Sequence, residues 1–291
     1  MRNFPQNFLG VYEKALPPGE NWAEKFKTAA QLGFDFIEMS IDESDTRLQR
    51  LDWSEEQIQE ILKLSQKHQV FIRSICFSGQ RRYPMGSHDL ATRQKSLQLL
   101  EKCIQLAFKL NVRIIQLAGY DVYYEAKDAE TQAWFLENLQ AGLQMANRYA
   151  VGLSIEIMDD EFINSLTKYL AVKKACPSPW LSVYPDLGNL AAWHQQTYLS
   201  ELSSGFHDTV ALHIKDTLPV TNSFPGKFKN VEFGAGCVDF LKIFEYLKSA
   251  GYQGSFVIEA WYEDFDRPVE RLKKAKNYVL NLFEKAGWEL C

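Results

Sequence analysis

Eight short runs rich in β-branched, aromatic and aliphatic residues recur along the chain, at 8–12, 34–39, 70–77, 112–118, 153–158, 181–184, 210–215 and 255–260. Between them lie longer stretches whose apolar positions repeat at helical spacing, at 22–32, 54–68, 89–110, 129–149, 239–250 and 269–286. Strands alternating with amphipathic helices are the pattern of βα units around a parallel sheet. Eight such units predict an α/β fold, a (β/α)8 TIM barrel. Gly33 and Gly251 stand where a helix C-terminus takes a left-handed residue at least cost, and Asn111 is read likewise. Two connections depart from the pattern. The sixth, 189–206, is weakly patterned; the seventh, 216–236, holds Pro219, Pro225, Gly226, Gly234 and Gly236 and reads as a long loop. Its position after a strand makes it a candidate active-site lid. No linker-like or low-complexity tract divides the 291 residues, so 1–291 is read as a single domain.

Alternation along a strand assigns side chains to faces. In 153–158, Leu153, Ile155 and Ile157 suit the surrounding helices, which turns Ser154, Glu156 and Met158 toward the barrel axis. The same parity turns His213 and Lys215 inward from the seventh strand and Glu259 inward from the eighth, while Asp186 ends the sixth in Tyr184-Pro185-Asp186. These positions lie near the C-terminal ends of consecutive strands, where barrel active sites are built. Any one of them alone reads as an interior ion pair or a solvated loop charge. Unpaired and converging, they would cost several kcal/mol each in desolvation, so a shared cation is the more economical account. Glu156, Asp186, His213 and Glu259 are therefore candidate ligands for one divalent metal ion, and the oxygen-rich set with one nitrogen suits Mn²⁺, Mg²⁺, Co²⁺ or Zn²⁺.

Composition narrows the partners. A hydrophobic fraction of 46%, with Phe 19, Tyr 13 and Trp 7, supplies area for a large core. The formal net charge of -5 and the lack of a long Lys/Arg block argue against nucleic acid. No run of about eighteen apolar residues occurs, which argues against a membrane role, and residues 1–5 lack the charged-then-apolar pattern of a leader. Five cysteines without CxxC spacing read as reduced thiols, and together these features predict a cytoplasmic protein.

Two basic sites compete for a phosphate. Ser78-Gly79-Gln80-Arg81-Arg82-Tyr83-Pro84 leaves the third strand and Gly86-Ser87-His88-Asp89 opens the next helix. Free N–H groups and Arg forks make Arg81, Arg82, Ser87 and His88 the first choice. Lys215 and Lys227, on the seventh strand and its loop, are the second.

Several stretches carry a wider resemblance. They are Leu9-Gly10-Val11-Tyr12-Glu13-Lys14-Ala15-Leu16, Gly33-Phe34-Asp35-Phe36-Ile37-Glu38-Met39-Ser40, Gln116-Leu117-Ala118-Gly119-Tyr120-Asp121-Val122-Tyr123-Tyr124 and Tyr184-Pro185-Asp186-Leu187-Gly188-Asn189-Leu190. With Ile155-Glu156-Ile157-Met158-Asp159, His213-Ile214-Lys215-Asp216-Thr217, Phe233-Gly234-Ala235-Gly236 and Val257-Ile258-Glu259, the chain resembles, over nearly its whole length, the L-ribulose-5-phosphate 3-epimerases of L-ascorbate and L-xylulose utilisation, within the xylose-isomerase-like superfamily. The resemblance implies metal ligands at Glu156, Asp186, His213 and Glu259, a small phosphorylated keto-sugar as substrate, and a homodimer. Gln80 departs from the histidine of relatives. Asn189 stands where ketose 3-epimerases of free sugars carry a substrate-contacting histidine. Tyr12, Phe77, Trp193 and Trp261 are candidate sugar walls.

On this reading the cation holds the C2 and C3 oxygens of the sugar, and Glu156 and Glu259 act as catalytic bases that remove and return the C3 proton on opposite faces. A hexulose-phosphate aldose-ketose isomerase and a non-catalytic sugar-phosphate sensor are the competing readings. An apurinic-site endonuclease needs a multi-zinc cluster that five scattered histidines do not supply.

Overall fold

The computed structural model describes residues 7–262 and 266–288. Its strands are β1 Leu9–Tyr12, β2 Phe36–Ile41, β3 Phe71–Phe77, β4 Ile114–Ala118, β5 Gly152–Glu156, β6 Leu181–Tyr184, β7 Ala211–Ile214, β8 Asp216–Thr221, β9 Phe224–Val231 and β10 Ser255–Ile258. All but β8 and β9 form one parallel sheet in the order β6-β5-β4-β3-β2-β1-β10-β7. Parallel bridges Val183–Thr209 and Asp186–His213 join its two edge strands, and the sheet becomes a barrel.

The helices are α1 Trp22–Gln31, α2 Asp45–Leu48, α3 Glu55–His68, α4 Leu90–Lys109, α5 Ala129–Tyr149, α6 Leu166–Ala175, α7 Leu187–Trp193, α8 Tyr198–Ser204, α9 Phe240–Ser249 and α10 Pro268–Lys285. Their starts are written in side-chain oxygens. Asn21, Ser54 and Asp128 each form a reciprocal capping box, and Asp89 accepts from two amides of the first turn of α4. Gly33, Gly251 and Asn111 adopt the left-handed backbone expected of them, at φ 71, 75 and 59. Leu153, Ile155 and Ile157 are fully buried in the layer shared with the helices, while Tyr12, Phe36, Cys76, Tyr184, Ala211 and Val257 form a second cluster. Parity along the strands thus separates a dry outer core from an interior that carries polar groups.

Two connections differ from the sequence reading. Residues 216–236 hold an antiparallel hairpin, β8–β9, rather than a bare loop. Its prolines fit because a two-stranded ribbon has open edges, where a missing N–H breaks no ladder. Residues 189–206 contain most of α7 and all of α8, two helices too brief to show a periodic stripe. Cys76, Cys103, Cys176 and Cys237 are free thiols, and Cys291 lies outside the described residues. Among the described residues no helix is long and apolar enough to cross a membrane.

Candidate metal centre

Around the closed ring, β5, β6, β7 and β10 are successive neighbours. Glu156 is the last residue of β5. Asp186 lies just beyond β6 and caps α7: its Oδ1 accepts from the Asn189 N–H at 2.8 Å, which leaves Oδ2 free to face the axis. His213 is held in β7 by its N–H donating to Pro185 O at 3.0 Å, and the Glu259 N–H donates to Ile214 O at 3.0 Å. Gly188 permits this closure, because a Cβ there would stand 2.6 Å from the Lys215 carbonyl oxygen. The result is four buried side chains, each offering a donor atom within 4.8 Å of the others. His213 Nδ1 lies 3.2 Å from Glu156 Oε1, 3.6 Å from Glu259 Oε2 and 4.0 Å from Asp186 Oδ2.

Lys215 occupies an unexpected place. Instead of reaching the mouth to meet a phosphate, its ammonium points into the cluster, 2.7 Å from Asp186 Oδ2 and 3.2 Å from Glu259 Oε2. Both carboxylates pull on it, so the Lys215 pKa is raised despite burial. Burial and the neighbouring carboxylates raise Glu156 and push Asp186 well above the usual carboxylate range. Glu259 goes the other way: burial opposes it, yet the charges of Lys215 and His213 lower it to about 2. Burial likewise opposes a charged His213, but Glu259, Glu38 and Glu156 outweigh it and raise the imidazole well above its ordinary value.

These carboxylates exceed their counter-charges. Glu38, Glu156, Asp186 and Glu259 are all buried, against one lysine and one imidazole. Asp186 Oδ2 and Glu259 Oε2 make no hydrogen bond of good geometry although Lys215 is close. A donor set of oxygens plus one imidazole nitrogen, short of positive charge and with unsatisfied buried oxygens, fits a divalent cation.

Glu38 was not singled out by the sequence reading. On β2, Phe36, Glu38 and Ser40 alternate with Ile37, Met39 and Ile41, so the same parity that selects Glu156 also turns Glu38 inward. Its Oε1 stands 2.5 Å from His213 Nε2. Lys229 was missed as well, since 216–236 read as a loop. Its ammonium sits 5.0 Å from the Trp261 ring, and desolvation together with the nearby Arg81 and Lys215 charges lowers its pKa.

The first-choice phosphate loop divides. Arg81 turns toward the rings of Tyr120 and Tyr123, 5.5 and 5.1 Å from their centroids, and its Nε is buried without a partner. Arg82 points outward and pairs with Asp45 at 2.6 Å. His88 lies between Asp128 and Glu125, at 2.8 and 3.3 Å, while Ser87 Oγ accepts from the Asp89 N–H. With Asp89 already capping α4, that helix start is filled by acid groups and does not suit a phosphate. Lys227 is exposed on β9. Asn189 is buried, and its Nδ2 donates to Ile157 O at 2.9 Å. Of the candidate walls, Tyr12 and Trp261 flank the cluster, with Tyr12 6.2 Å from the His213 ring and 6.1 Å from Trp261. Phe77 is core, and Trp193 packs on Phe228 of the hairpin.

A cavity of about 780 Å³, lined by Phe36, Ile61, Phe71, Arg73 and Leu110 among others, borders the start of β3 and the end of α4 rather than the carboxylates. The carboxylate cluster lies elsewhere, at the C-terminal ends of the strands.

The xylose isomerase-like TIM barrel family matches residues 26–282. The chain belongs to that family. It is 46% identical over 279 residues to the L-ribulose-5-phosphate 3-epimerase UlaE of Escherichia coli (strain SMS-3-5 / SECEC), covering 96% of each chain. This xylose isomerase-like barrel is thus an enzyme of the isomerase class, a carbohydrate epimerase. Among solved structures it resembles the D-psicose 3-epimerase of Clostridium cellulolyticum H10, with a TM-score of 0.76 and 15% identity over 95% of this chain and 99% of that one. An L-ribulose 3-epimerase is similar at a TM-score of 0.75 and 17% identity, over 97% and 96%. At such identities these two likenesses speak for the fold alone.

Proposed function

We propose that the chain interconverts L-ribulose 5-phosphate and L-xylulose 5-phosphate by inverting C3, with Glu156, Asp186, His213 and Glu259 holding one divalent cation. The observation that carries this reading is the convergence of those four buried side chains, within 4.8 Å of one another, in a chain 46% identical to an L-ribulose-5-phosphate 3-epimerase. When bound, the cation supplies Lewis-acid stabilisation of the charge that develops on the C2 and C3 oxygens.

The chain's own groups do the proton work. Glu156 and Glu259 enter from β5 and from the end of β10, with β6 and β7 between them, so a sugar lying between the two carboxylates meets one on each side. One takes the C3 proton as the C3–H electron pair moves into an enediolate; the other delivers a proton to the opposite face. Burial raises Glu156, which favours the protonated form that delivers, whereas the Lys215 and His213 charges lower Glu259, which favours the ionised form that accepts. Tyr12 and Trp261 shield the site from water, and Arg81 with Lys229 forms a cationic edge suited to the phosphate.

The deciding experiment is turnover of L-ribulose 5-phosphate by metal-reconstituted protein in deuterium oxide, followed by NMR. Deuterium at C3 with formation of the C3 epimer supports the proposal. Exchange at C1 with appearance of an aldose would replace it with an isomerase.

A further inference from the structure

We infer that Glu38 is a positioning residue of the metal centre: through His213 it sets which ring nitrogen is left to bind the cation. The inference deepens the metal reading above and rests on it.

Glu38 is fully buried on β2, and His213 fully buried on β7. The two meet inside the barrel although β1 and β10 stand between their strands. Both oxygens of the carboxylate are engaged. Ser74 Oγ and the Tyr184 hydroxyl donate to Oε2 at 2.6 and 2.8 Å, while Oε1 stands 2.5 Å from His213 Nε2. A carboxyl group already accepting two hydroxyl protons presents an acceptor to the imidazole, so Nε2 carries a hydrogen in either state of the ring, and a cation bound at Nδ1 would take the place of a proton there. Nδ1 is the nitrogen that lies within 4.0 Å of Glu156, Asp186 and Glu259 oxygens. The tautomer and the ring orientation are thereby both fixed for a ligand at Nδ1. A carboxylate on the far nitrogen also makes the imidazole a stronger donor.

A purely structural Glu38, filling a polar niche in the barrel, would leave the same contacts but different consequences. Its loss would destabilise the metal-free protein and leave metal affinity alone. The test therefore reads binding rather than turnover. The full chain is stripped by chelation and titrated with Co²⁺, following both heat and the visible d–d spectrum. Glu38→Gln preserves shape and an acceptor; Glu38→Met preserves volume only. Glu38→Met is expected to weaken Co²⁺ binding by about 10–100-fold, with Glu38→Gln between it and the parent. Each should shift the d–d bands. Ser74→Ala combined with Tyr184→Phe, which removes the two hydroxyl donors to Glu38 and keeps the Tyr184 ring that packs 4.8 Å from the His213 ring, should weaken binding by a smaller factor.

If the parent protein binds Co²⁺ and the variants bind it equally, with unaltered spectra, the positioning role is overturned while the metal reading stands. If the parent binds none, both fall together. Should Glu38→Met fail to fold, Glu38→Gln and the Ser74/Tyr184 pair decide by the same criterion.

Discussion

Lys215 and Asp186 stand 2.7 Å apart, both almost wholly shielded from solvent, two residues beyond His213 on one side and two beyond β6 on the other. The lysine thus supplies part of the positive charge that the carboxylates need, in the space that the proposed cation would share. Ammonium and metal oppose one another through Asp186 and Glu259. Lys215→Met should accordingly tighten divalent metal binding by about tenfold, the equivalent of ~1.4 kcal/mol of relieved repulsion. Calorimetric titration of the stripped protein measures this. Weaker binding in the variant would mean that Lys215 supports the cation instead of competing with it.

The two-base scheme makes a sharper demand on Glu156 and Glu259. Each Glu→Gln substitution should lower turnover by at least about 10²–10⁴-fold, the range for removing a general acid or base. Because both residues are also proposed ligands, metal content has to be brought to parity before comparison. The discriminating readout is isotope wash-in: a variant with one base left should exchange C3 hydrogen in one epimer and not in the other. Exchange in both epimers at the parent rate would contradict the scheme.

The architecture and the four-residue cluster were legible because both follow from alternation in strands that turn an apolar face to the helices and a face carrying polar groups to the axis. Leu153, Ile155 and Ile157 mark the helix side, and Glu156 follows by parity. Asp186 was legible by place alone; its aim is set by capping α7, a contact that no strand pattern encodes. Glu38 carries the same signal as Glu156, since Phe36, Glu38 and Ser40 share a face, but parity was read only on the later strands. Lys215 was assigned inward correctly, yet its destination depends on charges at the ends of the two neighbouring strands, β6 and β10, that are invisible to local pattern. The hairpin β8–β9 escaped because Pro219, Pro225 and Gly226 are loop signals, and the ribbon buries too little to impose alternation.

Arg81 and Arg82 are neighbours in sequence with opposite fates, which separates their expected effects. Arg81 lies against Tyr120 and Tyr123, on the same edge as Lys229. Arg82 is half exposed and pairs with Asp45. Arg81→Ala should raise KM for the phosphorylated sugar with less effect on kcat, as expected of uniform binding, by about tenfold for loss of one charged contact worth ~1.5 kcal/mol. Arg82→Ala should leave KM unchanged. Steady-state kinetics on both variants decides, and the reverse pattern would move the phosphate to the outer loop.

Glu13 gives the fold an acid-sensitive anchor apart from the metal centre. Its carboxylate is completely buried and receives Arg50 at 2.6 and 2.8 Å, Lys25 at 3.0 Å and the Ser40 N–H at 2.9 Å, tying the end of β1 to β2 and α1. Burial alone would raise its pKa, but the Arg50 hydrogen bonds and charge, with Lys25, hold it well below the usual carboxylate range. A carboxyl group depressed by folding stabilises the native state fully above its unfolded pKa, near ~4.3, and loses that contribution as pH falls toward the folded value. Glu13→Gln should therefore cost about 3–5 kcal/mol at neutral pH, because Arg50 and Lys25 are left facing a neutral partner. The gap between parent and variant should narrow as pH drops below ~4. Denaturant midpoints at pH 7 and pH 3 on metal-free protein test both parts; a gap that stays constant with pH would show that Glu13 contributes by packing and not by its charge.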